Sequence, residues 1–220
     1  QVSISTTKKE VDFYAEIRDE MPLLHFDFYH KSILVGTFTS SLSGRYNAYN
    51  LLFGAALGIS YGLNASKSMS LACEYVPKNN RSEWRTIQGI QIFLDAYNAN
   101  PSSMSAAIES FATLKGKKQL FLGDMLELGK DAEALHADLA ISIEDLGIDL
   151  VYASGPLMRH LFDALPRAKQ GAWFKNSEEL AQSLDHIIRG GDALMVKGSN
   201  GSRMRLVVDE IKTRLDKEQN

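Results

Sequence analysis

Over residues 11–17 apolar and polar side chains alternate, as in a strand with one buried face. Residues 23–29 and 32–39 carry the same strand-like composition, with His30 and Lys31 between them as a turn, so residues 1–43 read as β-rich. After Gly44 the pattern changes to a helix that runs to about Gly62 and is built from Leu, Ala, Gly and Phe. Gly54, Ala55, Ala56 and Gly58 leave little bulk there, so a neighbouring backbone can approach closely. Glycine costs a helix roughly 1 kcal/mol against alanine, and packing is the expected offset. Asn47 and Asn50 are three residues apart and share one face near the start of this helix. They read equally well as caps and as groups facing a ligand. A second short helix is expected over residues 66–75.

Residues 77–82, Pro-Lys-Asn-Asn-Arg-Ser, form a polar break with turn chemistry. Read as a linker, this break divides the chain into residues 1–79 and 80–220. Beyond it strands and helices alternate. Strands are expected over 90–95, 119–122, 150–153, 172–174 and 193–196, and helices over 102–114, 131–146, 156–165, 177–188 and 202–215. Such alternation predicts an α/β fold with a doubly wound, mostly parallel sheet. Right-handed crossovers put the carboxyl ends of parallel strands on one rim, which gathers Asp95, Asp124 and Lys197 there.

The richest of these rim loops follows the strand over 90–95. Its sequence, Asp95-Ala96-Tyr97-Asn98-Ala99-Asn100-Pro101-Ser102-Ser103-Met104, runs from a strand-end acid to a helix start marked by Pro101 beside Ser N-cap candidates. Ligands of open α/β sheets bind at such strand ends. A carboxylate can take two ribose hydroxyls, and Asn amides both donate and accept, which suits carboxylates and peptide groups. One isolated Asn here would read as a turn former. An acid and two Asn gathered before a Pro point to a ligand. The loop Gly123-Asp124-Met125-Leu126-Glu127 is acidic, whereas Lys197-Gly198-Ser199-Asn200-Gly201-Ser202 is basic and glycine-rich and precedes a helix, features that suit an anion. His136, alone on its helix, reads as a surface or packed residue.

Composition narrows the classes. The 220 residues are 45% hydrophobic and 23% charged with a net charge of −3, ordinary for a soluble globular chain and unsuited to coating nucleic acid. The five His are scattered, with no metal-ligand cluster. The single Cys73 excludes an intrachain disulfide and fits a reducing compartment, and between Ala72 and Tyr75 it reads as a small core residue. No run is long enough for a membrane span and no signal peptide opens the chain, so membrane insertion is not expected and a cytoplasmic location is. Gln1 is not Met, and a processed product or a piece of something longer is expected. The P-loop pattern, the Gly-x-Gly-x-x-Gly dinucleotide fingerprint and the Gly-x-Ser-x-Gly elbow are all missing.

Four stretches in order carry a family resemblance. Gly44-Arg45-Tyr46-Asn47-Ala48-Tyr49-Asn50 resembles the Gly-x-[His/Tyr]-Asn-x-x-Asn signature of the Mur ligases. Asp95 to Met104, Gly123-Asp124-Met125-Leu126-Glu127-Leu128-Gly129 and Lys197-Gly198-Ser199 resemble the branch of that family that adds the terminal dipeptide to the peptidoglycan precursor.

The resemblance implies three domains in the whole enzyme, with residues 1–79 as the C-terminal part of the central ATP-binding domain and 80–220 as the C-terminal Rossmann-like ligase domain. It implies an ATP-dependent amide ligase that joins D-Ala-D-Ala to UDP-N-acetylmuramoyl-tripeptide through an acyl phosphate. The P-loop, the Mg2+ ligands and a modified lysine would lie upstream of Gln1, so these 220 residues alone are expected to be inactive. Asn47 and Asn50 then correspond to adenine-side contacts, Asp95 to the ribose-binding acid and Arg81 to a linker arginine that reaches the γ-phosphate. Asn98 and Asn100 fall where the family binds the incoming amino component, with Lys197 and Ser199 on the far side of that cleft. Delivering Arg81 and Asp95 to an ATP held by another domain implies closure about the linker. A folylpolyglutamate synthetase-like ligase and a non-catalytic binding module are the alternatives. The Tyr97-Asn98-Ala99-Asn100-Pro101 stretch argues against the first, whereas the missing P-loop favours the second for the isolated chain.

Overall fold

A computed structural model of the protein describes residues 2–76, 81–87, 89–188 and 193–217. The chain divides into two compact units, Gln1–Pro77 and Lys78–Asn220. Of the expected linker, residues 77–80 lie outside the described residues.

The first unit is a four-stranded sheet backed by two helices. Its strands, β1 (Ile4–Ser5), β2 (Phe13–Asp19), β3 (Leu24–His30) and β4 (Ile33–Ser40), lie in sequence order, with β1 parallel to β2 and the rest antiparallel. The alternation seen in the sequence sorts the two faces. Phe13, Ala15, Leu24, Phe26 and Phe28 point inward against Ala48, Leu51, Leu52 and Ala55 of α1 (Arg45–Ser60) and Met69 of α2 (Ala65–Cys73). On the other face Arg18 Nε and Thr37 Oγ1 donate to the Asp27 carboxylate at 3.1 and 2.6 Å. These bonds hold the Asp27 carboxyl below the usual carboxylate range, Arg18 first. The small residues of α1 serve the expected close approach: a Cβ at Gly58 would lie 2.1 Å from Ser68 Oγ, which donates to the Ala55 carbonyl at 2.8 Å.

The second unit is a six-stranded sheet in the order β5-β6-β10-β7-β8-β9. Its elements are β5 (Glu83–Ile87), β6 (Ile90–Asp95), α3 (Pro101–Ala112), β7 (Lys118–Gly123), α4 (Ala132–Ala137), α5 (Leu139–Asp145), β8 (Leu150–Ser154), α6 (Met158–Ala164), β9 (Gln170–Phe174), α7 (Ser177–Gln182), β10 (Ala193–Lys197) and α8 (Arg205–Lys217). Five strands are parallel, as the strand–helix alternation predicts, and β5 adds an antiparallel edge that the pattern did not reveal. Its sequence, Glu-Trp-Arg-Thr-Ile, is too polar for a core strand, and β6 alone pairs with it. The last strand, β10, inserts between β6 and β7, and all five of its residues are buried.

Three helices differ from expectation. Residues 131–146 form α4 and α5 rather than one helix, because the ladder shifts at Asp138, whose carbonyl bonds the Ile141 N–H three residues on. Residues 177–188 form α7 and then a tight turn over Leu184–His186. The helix expected from 202 starts instead at Arg205, after Arg203 takes a left-handed conformation at φ 58°.

Candidate functional site

Parallel register sets the site. Lys197, the last residue of β10, pairs with Asp95, the last of β6, and with Leu122 of β7. The carboxyl ends of these strands therefore share one rim, with Asp124 one residue beyond β7. At that rim Lys197 is only 1% exposed. Its ammonium contacts the Asp95 carboxylate and donates to the Asn98 carbonyl at 3.1 Å. A buried ammonium needs such partners, since leaving its charge unpaired in the interior costs several kcal/mol, of order 3–5. The other Asp95 oxygen accepts the Ser82 N–H at 3.0 Å, with Ser82 in a left-handed turn at φ 49°. That turn sets the neighbouring Arg81, whose guanidinium lies 3.5 Å from the centroid of the Tyr97 ring.

The Asn residues of the loop divide into two jobs. Asn100 is the N-cap of α3: its Oδ1 accepts from Ser103 N at 2.8 Å, and Ser103 Oγ accepts from the Asn100 N–H at 3.1 Å. This capping box places the cap on Asn100 rather than on the Ser residues the sequence offered. Asn98 is exposed, and its side-chain amide makes no hydrogen bond among the described residues. Ser199 is buried, accepting from Leu126 N at 3.0 Å and donating to the Ala99 carbonyl at 3.3 Å. It ties the loops after β6, β7 and β10 together. Lys197 and Ser199, expected to line a cleft, thus sit beneath the loops and hold them.

The acidic loop after β7 is held from below. His136 is fully buried; its Nε2 accepts the Met125 N–H at 2.9 Å, and its Nδ1 lies 2.6 Å from the Ala132 carbonyl. A backbone N–H can only donate, so the proton sits on Nδ1 and the ring is neutral. Burial pushes the His136 pKa down, and it pushes the Asp124 carboxyl up against bonds from the Met158 and Leu157 N–H groups. The packed reading of His136 is the one the structure bears out.

Beside this loop opens a cleft of about 350 Å³, lined by Asp124, Ser154, Gly155, Lys175, Ser177 and Arg203 among others. Gly155 is required there. Its φ is +110°, and a Cβ would meet the Asp124 carboxyl at 2.4 Å. The cleft was not legible in the sequence, since its residues come from four separate loops without a local motif. Tyr97 was in view but carried no assignment. An aromatic ring between Asp95 and Asn98, with an arginine just upstream of the strand pair, is the signal that would have found it.

In the first unit Asn47 is buried, donating from Nδ2 to the Ser43 carbonyl at 2.7 Å and accepting from Asn50 Nδ2 at 2.9 Å. Neither caps α1, whose N-cap is Gly44 at φ 87°. Asn50 is exposed and retains its amide oxygen as an acceptor. Among the described residues no group of three or more His, Cys, Asp or Glu side chains converges to hold a metal ion.

Comparison with known proteins adds to this geometry. Residues 80–200 match the family described as Mur ligase, glutamate ligase domain. The UDP-N-acetylmuramoyl-tripeptide–D-alanyl-D-alanine ligase of Rickettsia prowazekii is 31% identical over 148 residues, covering 65% of this chain and 33% of that protein. The enzyme of the same name from Escherichia coli is 34% identical over 172 residues, covering 76% of this chain and 37% of that protein. The crystal structure of the MurF ligase from Thermotoga maritima in complex with ADP superposes at a TM-score of 0.80 and 20% identity, over 99% of this chain and 49% of that one. The chain thus spans 33% and 37% of these two curated relatives and about half of the solved structure.

Proposed function

The chain belongs to the Mur ligase family, and from that premise we propose that it is the acceptor-side portion of an ATP-dependent amide ligase joining D-Ala-D-Ala to UDP-N-acetylmuramoyl-tripeptide in peptidoglycan synthesis. The observation that carries the reading is the strand-end carboxylate of Asp95, fixed by Lys197 and Ser82 beside the exposed amide of Asn98. Support for the dipeptide, rather than a single amino acid, comes from the curated relatives, which are named for it. A reaction that consumes ATP and a UDP-linked precursor belongs to the cytoplasm, and no described helix is long and apolar enough to cross a membrane.

In this reaction the tripeptide carboxylate takes the γ-phosphoryl group of ATP, giving ADP and an acyl phosphate. The neutral amine of D-Ala-D-Ala attacks the acyl carbon, the bond to the phosphate oxygen breaks, and the amine loses a proton as the amide forms. Such chemistry needs positioning and charge neutralisation more than a protein nucleophile. Each Asp95 oxygen bonds one protein donor and keeps a lone pair for a ribose hydroxyl. Arg81, stacked on Tyr97, presents its guanidinium to the γ-phosphate. Asn98 bonds the incoming dipeptide, and Asn100 aids it through the amide donors its capping bonds leave. Lys175, on the rim of the cleft, offers positive charge to the dipeptide carboxylate, whereas Arg203 there is paired with Glu178.

Lys197 and Ser199 act by holding Asp95, Asn98 and Ala99 rather than by touching substrate. Asn50, steadied by Asn47, faces the adenine in the first unit. Residues 1–79 are the C-terminal part of an ATP-binding domain and 80–220 the ligase domain. Mg2+ accompanies ATP as its counterion, and with no convergent ligand set among the described residues no step here runs through it.

The test is phosphate release by the chain extended with its upstream coding sequence, given ATP, UDP-N-acetylmuramoyl-tripeptide and either D-Ala-D-Ala or single amino acids. Release with the dipeptide alone is expected. Release with a single amino acid moves the protein to a sibling ligase, and no release with any pairing overturns the reading.

A further inference from the structure

Three neighbouring parallel strands, β7, β8 and β9, end in one row. Gly123 pairs with Ser154 and Ser154 with Phe174, so Asp124, Gly155 and Lys175 are each the first residue past a strand. All three line the cleft. Neighbouring strands lie about 4.8 Å apart, which puts the backbone of Lys175 about 10 Å from that of Asp124. The middle position carries no side chain, and the Asp124 carboxyl lies against its bare Cα, where a Cβ would come within 2.4 Å. The charges of the cleft then sort into one pair and two singles. Arg203 pairs with Glu178. Asp124 accepts backbone N–H bonds from Met158 and Leu157 but meets no Lys or Arg among the described residues. Lys175 has no acidic partner among them either. The cleft therefore offers one uncompensated carboxylate, 5% exposed, and one exposed ammonium. Asp124 is held firmly all the same: its carbonyl accepts from Ser199 N at 3.1 Å, and His136 fixes the next residue through the Met125 N–H. A carboxylate has about four acceptor positions, so two remain for a ligand.

We propose that Asp124 binds the α-ammonium of the incoming dipeptide while Lys175 takes its carboxylate, and that this pair fixes the direction in which the dipeptide lies. This rests on the ligase reading above, which gives the dipeptide carboxylate a partner but its amine none. A free dipeptide is a zwitterion at neutral pH, since an α-amino group has a pKa of about 7.7–8.0. Its charged ends stand up to about 7 Å apart, two residues of extended chain. The flexible stem of Lys175 closes that span from the far end of the row. Burial without a cation raises the Asp124 pKa, and an arriving ammonium supplies the missing charge. Strand order gives the direction its use. β10 and then β6 lie beyond β7, so the ammonium end faces the side of Asn98 and Asp95, and the carboxylate lies toward the β9 edge. The amine that must attack is thereby held on the side of the sheet assigned to the nucleotide.

Steady-state kinetics of the chain extended with its upstream coding sequence test this. Propionyl-D-Ala serves as a competitive inhibitor that keeps the carboxylate and lacks the ammonium. Asp124→Asn should raise the KM for D-Ala-D-Ala at least about tenfold, as expected when a charge-assisted bond is lost. The inhibition constant of propionyl-D-Ala and the KM for ATP should stay unchanged, because Asn keeps an oxygen for the Met158 N–H. Lys175→Met should weaken D-Ala-D-Ala and propionyl-D-Ala alike, since both carry the carboxylate. An unchanged KM for the dipeptide in Asp124→Asn overturns the proposal. Equal weakening of dipeptide and inhibitor also overturns it, because Asp124 then only shapes the loop. If Asp124→Asn fails to fold, the unaltered chain decides: propionyl-D-Ala binding as tightly as D-Ala-D-Ala overturns the proposal, and binding at least about tenfold weaker sustains it. Either overturning result in a chain that transfers D-Ala-D-Ala removes this inference alone. No transfer by the unaltered chain removes the ligase reading, and this inference with it.

Discussion

The buried ammonium of Lys197 rests on the carboxylate of Asp95, across 102 residues of sequence and between two adjacent parallel strands. This contact couples the last strand of the sheet to the loop that bears the candidate ligand-binding groups. Replacing Lys197 by Met removes the cation and leaves Asp95 without its partner. The cost should be about 3–5 kcal/mol, the range found when one member of a buried pair is removed. Adding Asp95→Leu to Lys197→Met should recover part of it. Both tryptophans, Trp84 and Trp173, lie in the second unit, so their fluorescence in urea reports the change there.

The two loop asparagines separate stability from binding. Asn100→Ala removes the cap of α3 and should cost about 1 kcal/mol in urea unfolding. Asn98→Ala breaks no hydrogen bond among the described residues and should leave unfolding unchanged, while raising the KM for D-Ala-D-Ala in the extended ligase. Equal stability losses for the two variants would contradict this division.

Tyr97 positions Arg81. Tyr97→Ala removes the face on which the guanidinium lies, an interaction of about 0.5–1 kcal/mol at an exposed site. Turnover of the extended ligase should fall at saturating dipeptide, whereas Tyr97→Phe should keep most of it because the ring remains. A Phe variant as impaired as the Ala variant would assign the role to the hydroxyl.

His136 gives the second unit a pH dependence of definite sign. Its folded pKa is depressed by burial, so the neutral ring contributes its full stability above the unfolded value, about 6.5. As the pH falls below that value the unfolded ring takes a proton that the folded ring resists, and this stability is lost. Asp124 works the other way, because its raised folded pKa removes stability as the pH rises through the acidic range. His136→Gln should flatten the slope of unfolding free energy between about pH 5 and 7, the window of histidine titration. An unchanged slope would mean that His136 does not titrate on unfolding.

Gly155→Ala should destabilise the second unit by about 1–3 kcal/mol, the usual cost of a strained backbone conformation. The residue needs a φ of +110°, and the added methyl group would meet the Asp124 carboxyl. Thermal unfolding of the variant measures the loss.

Much of the architecture was legible because local chemistry and global fold agree. The apolar run of β6 ends in Asp95 and is followed by Pro101, and the structure turns where those residues say it should. Strand–helix alternation gave five parallel strands and the shared rim of Asp95, Asp124 and Lys197. What stayed hidden depends on strand order. Lys197 is expected at the rim lining a cleft, and it is interior instead because β10 inserts between β6 and β7. The edge strand β5 reads as polar loop because β6 alone pairs with it. The break at Asp138 lies in a segment whose helical periodicity continues on both sides. The cleft around Lys175 and Arg203 assembles from loops far apart in the chain, which no spacing within one stretch reveals.

The most direct test of the ligase reading follows oxygen atoms. The extended chain is given ATP, D-Ala-D-Ala and UDP-N-acetylmuramoyl-tripeptide labelled with 18O in its terminal carboxylate, and the released phosphate is analysed by mass spectrometry. An acyl phosphate passes one carboxylate oxygen to the departing phosphate, so each phosphate released during ligation should carry one 18O from a fully labelled carboxylate. Unlabelled phosphate, released whether or not the dipeptide is present, would contradict the account.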